Sequence, residues 1–130
     1  MNLQKIETLG DGNCLLYALF GLSKDEKIDY NFINKFRNDL MDIVEKNKND
    51  WKISEIVNDD DILTRRNPTV SLGIESVLAA SEYFSCPIIV HYENDSRENE
   101  IYYLDEIYKE KEPIHIFYEG IENGHFSSMK

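Results

Sequence analysis

The chain has 130 residues, 14 Lys and Arg against 25 Asp and Glu, and a formal net charge of −11 at pH 7. That length predicts a single domain over residues 1–130 with a true core, and 42% hydrophobic with 12% aromatic content excludes a disordered acidic tail. The charge excludes two large partner classes. Nucleic acid requires Lys and Arg to neutralise phosphate, and an anionic membrane surface requires the same, so a small molecule or a basic protein partner is expected instead.

No apolar run approaches the roughly 20 residues needed to cross a bilayer, and the first residues lack the apolar stretch of a signal peptide. Cys14 and Cys86 form no disulfide framework and no zinc-type spacing with histidine. A monomer in a reducing cytoplasm, without metal or cofactor, is the expectation.

In chain order, Leu3 to Thr8 is predicted as extended and ends at the turn Gly10-Asp11-Gly12-Asn13. A short apolar helix is predicted from Cys14 to Phe20, stopped by Gly21. A second runs from about Tyr30 to Lys48, with Phe32, Phe36, Leu40, Ile43 and Val44 as its apolar face. In the following stretch Trp51, Ile53, Ile56 and Val57 are core candidates, and Asp59-Asp60-Asp61 reads as a turn. Ser71 is the expected cap of a third helix carrying Ile74, Val77, Leu78 and Phe84, ended before Pro87. The period then changes to strand over Pro87–Tyr92, Glu100–Leu104, Pro113–Tyr118 and His125–Met129, with turns at Asn94-Asp95-Ser96 and Glu119–Gly124. Helices followed by a small, mostly antiparallel sheet define an α+β domain.

Cys14 follows a glycine-flanked turn and opens a helix, where unpaired amides and the helix dipole favour thiolate. The same turn offers backbone N–H groups to an oxyanion, with glycine supplying the unusual dihedrals. The alternative at this position is a small buried apolar residue. Cys86, before Pro87 at a helix end, reads as core. A thiol nucleophile needs a base, usually histidine. His91 and His115 lie within strands and read as structural or solvent-facing, whereas His125 follows Gly124 at a strand end, held by scaffold but open to a cleft.

Together, Asp11-Gly12-Asn13-Cys14-Leu15-Leu16-Tyr17-Ala18-Leu19 and Gly124-His125-Phe126 resemble the ovarian tumour (OTU) family of cysteine proteases, most of which remove ubiquitin. The segments Leu72–Ser81 and Pro87–Val90 resemble that family's central helix and following strand. The resemblance implies a papain-like OTU fold with helices packed on the small sheet. It implies Cys14 as nucleophile, His125 as general base, Asp11 as the third active-site position in the loop, and an oxyanion hole from the amides of Asp11, Gly12, Asn13 and Cys14. Two positions depart from the pattern. Ser127 stands where many relatives place Asp or Asn to orient the imidazole, and Leu72 replaces a frequent tryptophan. Ser127, or a polar group of the N-terminal segment such as Asn2 or Glu7, is then the expected orienter, while Ser128 reads as an ordinary strand hydroxyl.

The implied activity is thiol-dependent cleavage of isopeptide bonds after the C-terminal glycine of ubiquitin, through an acyl-enzyme on Cys14. The alternatives are a protease for another ubiquitin-like modifier, or an inactive OTU-like module that only binds ubiquitin or polyubiquitin. Asp59-Asp60-Asp61 and the Glu93–Glu100 hairpin are candidate acids for a basic modifier tail, against the alternative of solvated turns. Richness in Asn, Lys and Ile suggests an AT-rich genome, such as that of a virus or intracellular bacterium. A microbial effector of that kind would act on host conjugates in the host cytosol.

Overall fold

The computed structural model describes residues 3–92, 98–120 and 124–130. Five strands form one sheet in the order β1-β5-β4-β2-β3, where β1 is Lys5–Ile6, β2 Ile88–Tyr92, β3 Glu100–Tyr102, β4 Ile114–Glu119 and β5 His125–Met129. The helices are α1 (Cys14–Leu19), α2 (Tyr30–Lys46), α3 (Trp51–Ser54), α4 (Asp59–Thr64) and α5 (Ile74–Phe84). The class is the expected α+β. The central β2–β4 pairing is parallel and the other pairings are antiparallel, so the sheet is mixed. The chain enters β2 from α5, turns back as β3, and returns through a short 3-10 turn at Glu106–Tyr108 to lay β4 beside β2.

Local chemistry explains the helix boundaries. Asp29 caps α2 by accepting from the amides of Asn31 and Phe32, and Asp50 caps α3 by accepting from Lys52 N. The Asp59-Asp60-Asp61 run is the first turn of α4, not a free turn. Asn58 and Asp61 form a reciprocal capping box there, and three carboxylates suit the positive end of a helix. Helix α5 starts at Ile74 with Gly73 as its N-cap residue, so Ser71 does not cap it. The Glu75 carboxylate turns back onto the Gly73 amide at 3.0 Å and takes the place of a cap side chain.

The buried face of α2 is Ile33, Phe36, Arg37, Leu40, Met41 and Val44, a rotation of the predicted stripe that leaves Phe32 exposed. Phe36 is buried as predicted, together with Leu40 and Val44. It packs edge-to-face on Phe20 of the post-α1 turn, 4.6 Å between centroids, and on Tyr83 and Phe84 of α5. Ile53 and Val57 are buried as expected, but Trp51 and Ile56 are exposed, because α3 is a single turn with one inward side. Cys86 lies in the core. The Asn94-Asp95-Ser96 turn and residues 121–123 of the Glu119–Gly124 turn fall outside the described residues. Among the described residues, no helix is long and apolar enough to cross a membrane.

Candidate active site

Helix α1 packs on β5 with all six of its residues buried, which carries Cys14 to the end of β5 where His125 stands. Cys14 lines a cleft of about 290 Å³ together with Leu72, Gly73 and Ile74 on one side and Tyr118, Gly124 and Phe126 on another. The two residues flanking His125 thus share a cleft with the sulfur. Among the described residues, Cys14 and His125 make no direct hydrogen bond. Contacts between a thiol and its base are often long in the unliganded state of such sites and tighten when substrate binds.

The local electrostatics differ from the expectation of a lowered thiol pKa. Burial pushes the Cys14 thiol up, and the nearby Asp11 charge adds to that, while the backbone amides of Phe126, Leu15 and Cys14 pull it down. Burial dominates because α1 has only six residues, too few for a large dipole at its start.

Asp11 builds the loop and does not touch the imidazole. Its Oδ1 accepts from Asn13 N at 2.9 Å and its Oδ2 from the Tyr17 hydroxyl at 2.8 Å. The Cys14 amide lies 3.3 Å from the Asp11 carbonyl, so two of the four expected oxyanion donors, Asn13 and Cys14, already have acceptors. Asp11 N and Gly12 N make no hydrogen bond among the described residues. Gly12 does not use a left-handed conformation, contrary to the expected role of glycine in this turn. It is required for space: a Cβ there would meet the Thr69 carbonyl oxygen at 2.7 Å. Gly124 is the glycine with φ of 67°, and a Cβ on it would clash with the Tyr118 hydroxyl. The Gly-His-aromatic motif is thus a turn that brings the chain tight past Tyr118 and delivers His125 at the first position of β5.

Ser127 lies two residues beyond His125 on the same strand, but its hydroxyl is buried without a hydrogen-bond partner among the described residues. It does not hold the ring. Thr8 lies against it: its Oγ1 is 3.3 Å from His125 Nε2 and 2.6 Å from the Phe126 carbonyl oxygen. The contact comes from the N-terminal segment, through Thr8 and not through the Asn2 or Glu7 that the sequence reading named. Glu7 pairs with Lys24 instead, and Asn2 lies outside the described residues. Ser128 donates to the Leu22 carbonyl, an ordinary structural bond.

Arg37 is a second residue that no motif marks. Fully buried on α2, it donates from Nη2 to the Gly12 carbonyl at 2.9 Å and to Asn13 Oδ1 at 2.8 Å, and from Nη1 to the Arg65 carbonyl at 2.8 Å. This occupies the Asn13 side chain and explains why Asn13 does not cap α1. Burial lowers the Arg37 pKa from its ordinary value, opposed by the negative groups of the loop, Asp11 first. The Arg65 guanidinium continues the network, 3.0 Å from the buried Glu75 carboxylate that organises the start of α5 and one wall of the cleft. The signal for Arg37 was present in the sequence as a cation inside the apolar period of α2, between Phe36 and Leu40.

His91 and His115 stand on neighbouring strands, joined to each other at 2.8 Å, and neither lines the cleft. Of the expected acids, none of the described ones lines the cleft itself. Asp59 pairs with Lys48 and Asp61 closes the capping box, while Glu93 to Asp95 and Arg97 fall in an undescribed stretch. Glu100 accepts from the hydroxyl of Tyr102, a wall residue of the cleft. Among the described residues, no group of three or more His, Cys, Asp or Glu side chains is arranged to hold a metal ion.

No protein-family sequence model matches the chain, and no curated protein resembles it in sequence at a significant level. Solved structures do resemble it. The Hazara virus OTU bound to ubiquitin superposes with a TM-score of 0.72 at 16% identity, covering 98% of this chain and 80% of that one. The viral OTU domain protease from Taggert virus gives 0.71 at 15% identity, with 98% and 79% coverage. The OTU deubiquitinase from Wolbachia pipientis wMel, bound to ubiquitin, gives 0.69 at 17% identity, with 99% and 96% coverage. The chain has the OTU fold.

Proposed function

We propose that the protein is an OTU-family thiol hydrolase that removes ubiquitin from its conjugates. The observation that carries the reading is the cleft itself: within the OTU fold, Cys14 at the start of α1 lines one groove with Gly124 and Phe126, the residues on either side of His125. Solved structures of that fold bound to ubiquitin support the choice of modifier.

The chemistry follows from the groups present. A C-terminal glycine carbonyl enters the cleft that Gly73 and Gly124 line beside Cys14. His125 takes the Cys14 proton as the sulfur attacks, which offsets the cost of ionising a buried thiol. Negative charge builds on the carbonyl oxygen next to the amides of Asp11 and Gly12. His125 then protonates the departing lysine amine, leaving the modifier as a thioester on Cys14. Water, activated by the same imidazole, releases the carboxylate and restores the thiol.

The test is cleavage of a panel of ubiquitin dimers, with labelling by ubiquitin carrying a C-terminal electrophile. Wild type should cleave and be labelled, and Cys14→Ala should do neither. Equal cleavage by Cys14→Ala ends the reading. Ubiquitin binding without turnover identifies an inactive module, and labelling only by a different modifier's probe reassigns the substrate within the same chemistry.

A further inference from the structure

We infer that Thr8 is the positioning residue for His125, holding the ring as the Nε2–H tautomer so that Nδ1 is the atom that takes the proton from Cys14. This rests on the thiol-hydrolase reading for its consequences, but the geometry is independent of it. Thr8 is 2% exposed, and its single hydroxyl proton has one acceptor that offers no alternative: the Phe126 carbonyl oxygen, 2.6 Å away. A carbonyl cannot donate, so the hydroxyl must. Towards His125 Nε2, at 3.3 Å, Thr8 Oγ1 then presents only a lone pair. Nε2 must supply the hydrogen in that contact. In the neutral ring this leaves Nδ1 bare and basic.

The arrangement serves both protonation states. When Nδ1 gains the proton, Nε2–H stays in place and its bond to Thr8 becomes charge-assisted. The ring is not required to turn during the cycle, because the backbone of its own strand fixes the Thr8 proton. Strand β1 (Lys5–Ile6) pairs with β5 and brings Thr8, two residues later, beside His125 and Phe126. Ser127, on the same strand as the histidine, is not bonded to the ring. A threonine just beyond the first strand thus occupies the role that the sequence reading assigned to a residue after the histidine.

The experiment combines ring 15N NMR of His125 with steady-state kinetics on ubiquitin dimers for wild type, Thr8→Val and Thr8→Ser. Wild type should show the Nε2–H tautomer, and Thr8→Val, which keeps shape without the acceptor, should show an averaged or altered ring signal. In Thr8→Val kcat should fall about tenfold with KM little changed, and Thr8→Ser should recover most of it. The acid limb of the rate profile should move down by roughly half a unit in Thr8→Val, since losing the acceptor disfavours imidazolium. A purely structural threonine would lower the unfolding midpoint without moving that limb. An Nδ1–H tautomer in wild type, or an unchanged ring signal and acid limb in a folded Thr8→Val, overturns the assignment. If wild type cleaves no conjugate, the deubiquitinase reading fails, while the ring resonances of wild type and Thr8→Val still decide the role of Thr8.

Discussion

Cys14 shows how a single residue's chemistry depends on competing terms. A cysteine after a glycine turn at a helix start has the local features of an activated thiol, yet burial outweighs the amides that face the sulfur. At rest this balance favours the protonated thiol. Its alkylation by iodoacetamide, followed by mass spectrometry in a Cys86→Ala background, should accelerate with pH around a midpoint above the roughly 8.5 of free cysteine. The sign is fixed by the raised pKa: the reactive thiolate accumulates only as pH rises through the folded value. A midpoint well below neutral would show a resting thiolate–imidazolium pair instead.

Among the elements, α2 is the one whose role extends beyond packing. Its Arg37 spans from the helix to the carbonyl of Gly12, the side chain of Asn13 and the carbonyl of Arg65, so the nucleophile loop and the segment before α5 are tied to one guanidinium. Replacing it with Met keeps much of the volume but strands several buried acceptors. Arg37→Met should lower stability by about 3 kcal/mol in urea unfolding and slow probe labelling of Cys14 more than the stability loss alone explains. Equal stability in the variant would show that the loop holds itself, through Asp11 and Tyr17 alone.

Across the whole molecule, the Cys14 cleft does not end at its walls. Two of those wall residues, Ile74 and Tyr102, also line a second groove with Trp51, Ile56 and Ile101, all exposed, with Trp51 at 65%. In the proposed reaction the modifier's tail fills the cleft and its folded body must rest outside, and this groove adjoins the cleft through those two shared residues. Trp51→Ala should raise KM for ubiquitin dimers by about five- to tenfold while leaving kcat near wild type, as expected for an aromatic anchor that binds ground and transition states alike. An unchanged KM would place the body on another face.

The sequence by itself determined the elements whose signal is local: the Cys14 helix, the change from helical to strand period after Pro87, the α+β class, and the two motifs that converge on the cleft. Those depend on spacing and turn chemistry within a few residues, which a linear reading can see. On α2 it placed Phe36, Leu40 and Val44 in the core correctly, but it also put Phe32 there and left out Ile33, Arg37 and Met41, which complete the buried face. It also missed the capping box that turns three aspartates into a helix start. What only the tertiary structure decided is the set of groups around the motifs. Thr8 reaches His125 across 117 positions and Arg37 reaches Asn13 across 24, and neither pairing follows from local periodicity. Hydrogen bonds are satisfied in space, by whichever buried donor the packing of β1 on β5 or α2 on the loop brings within about 3 Å.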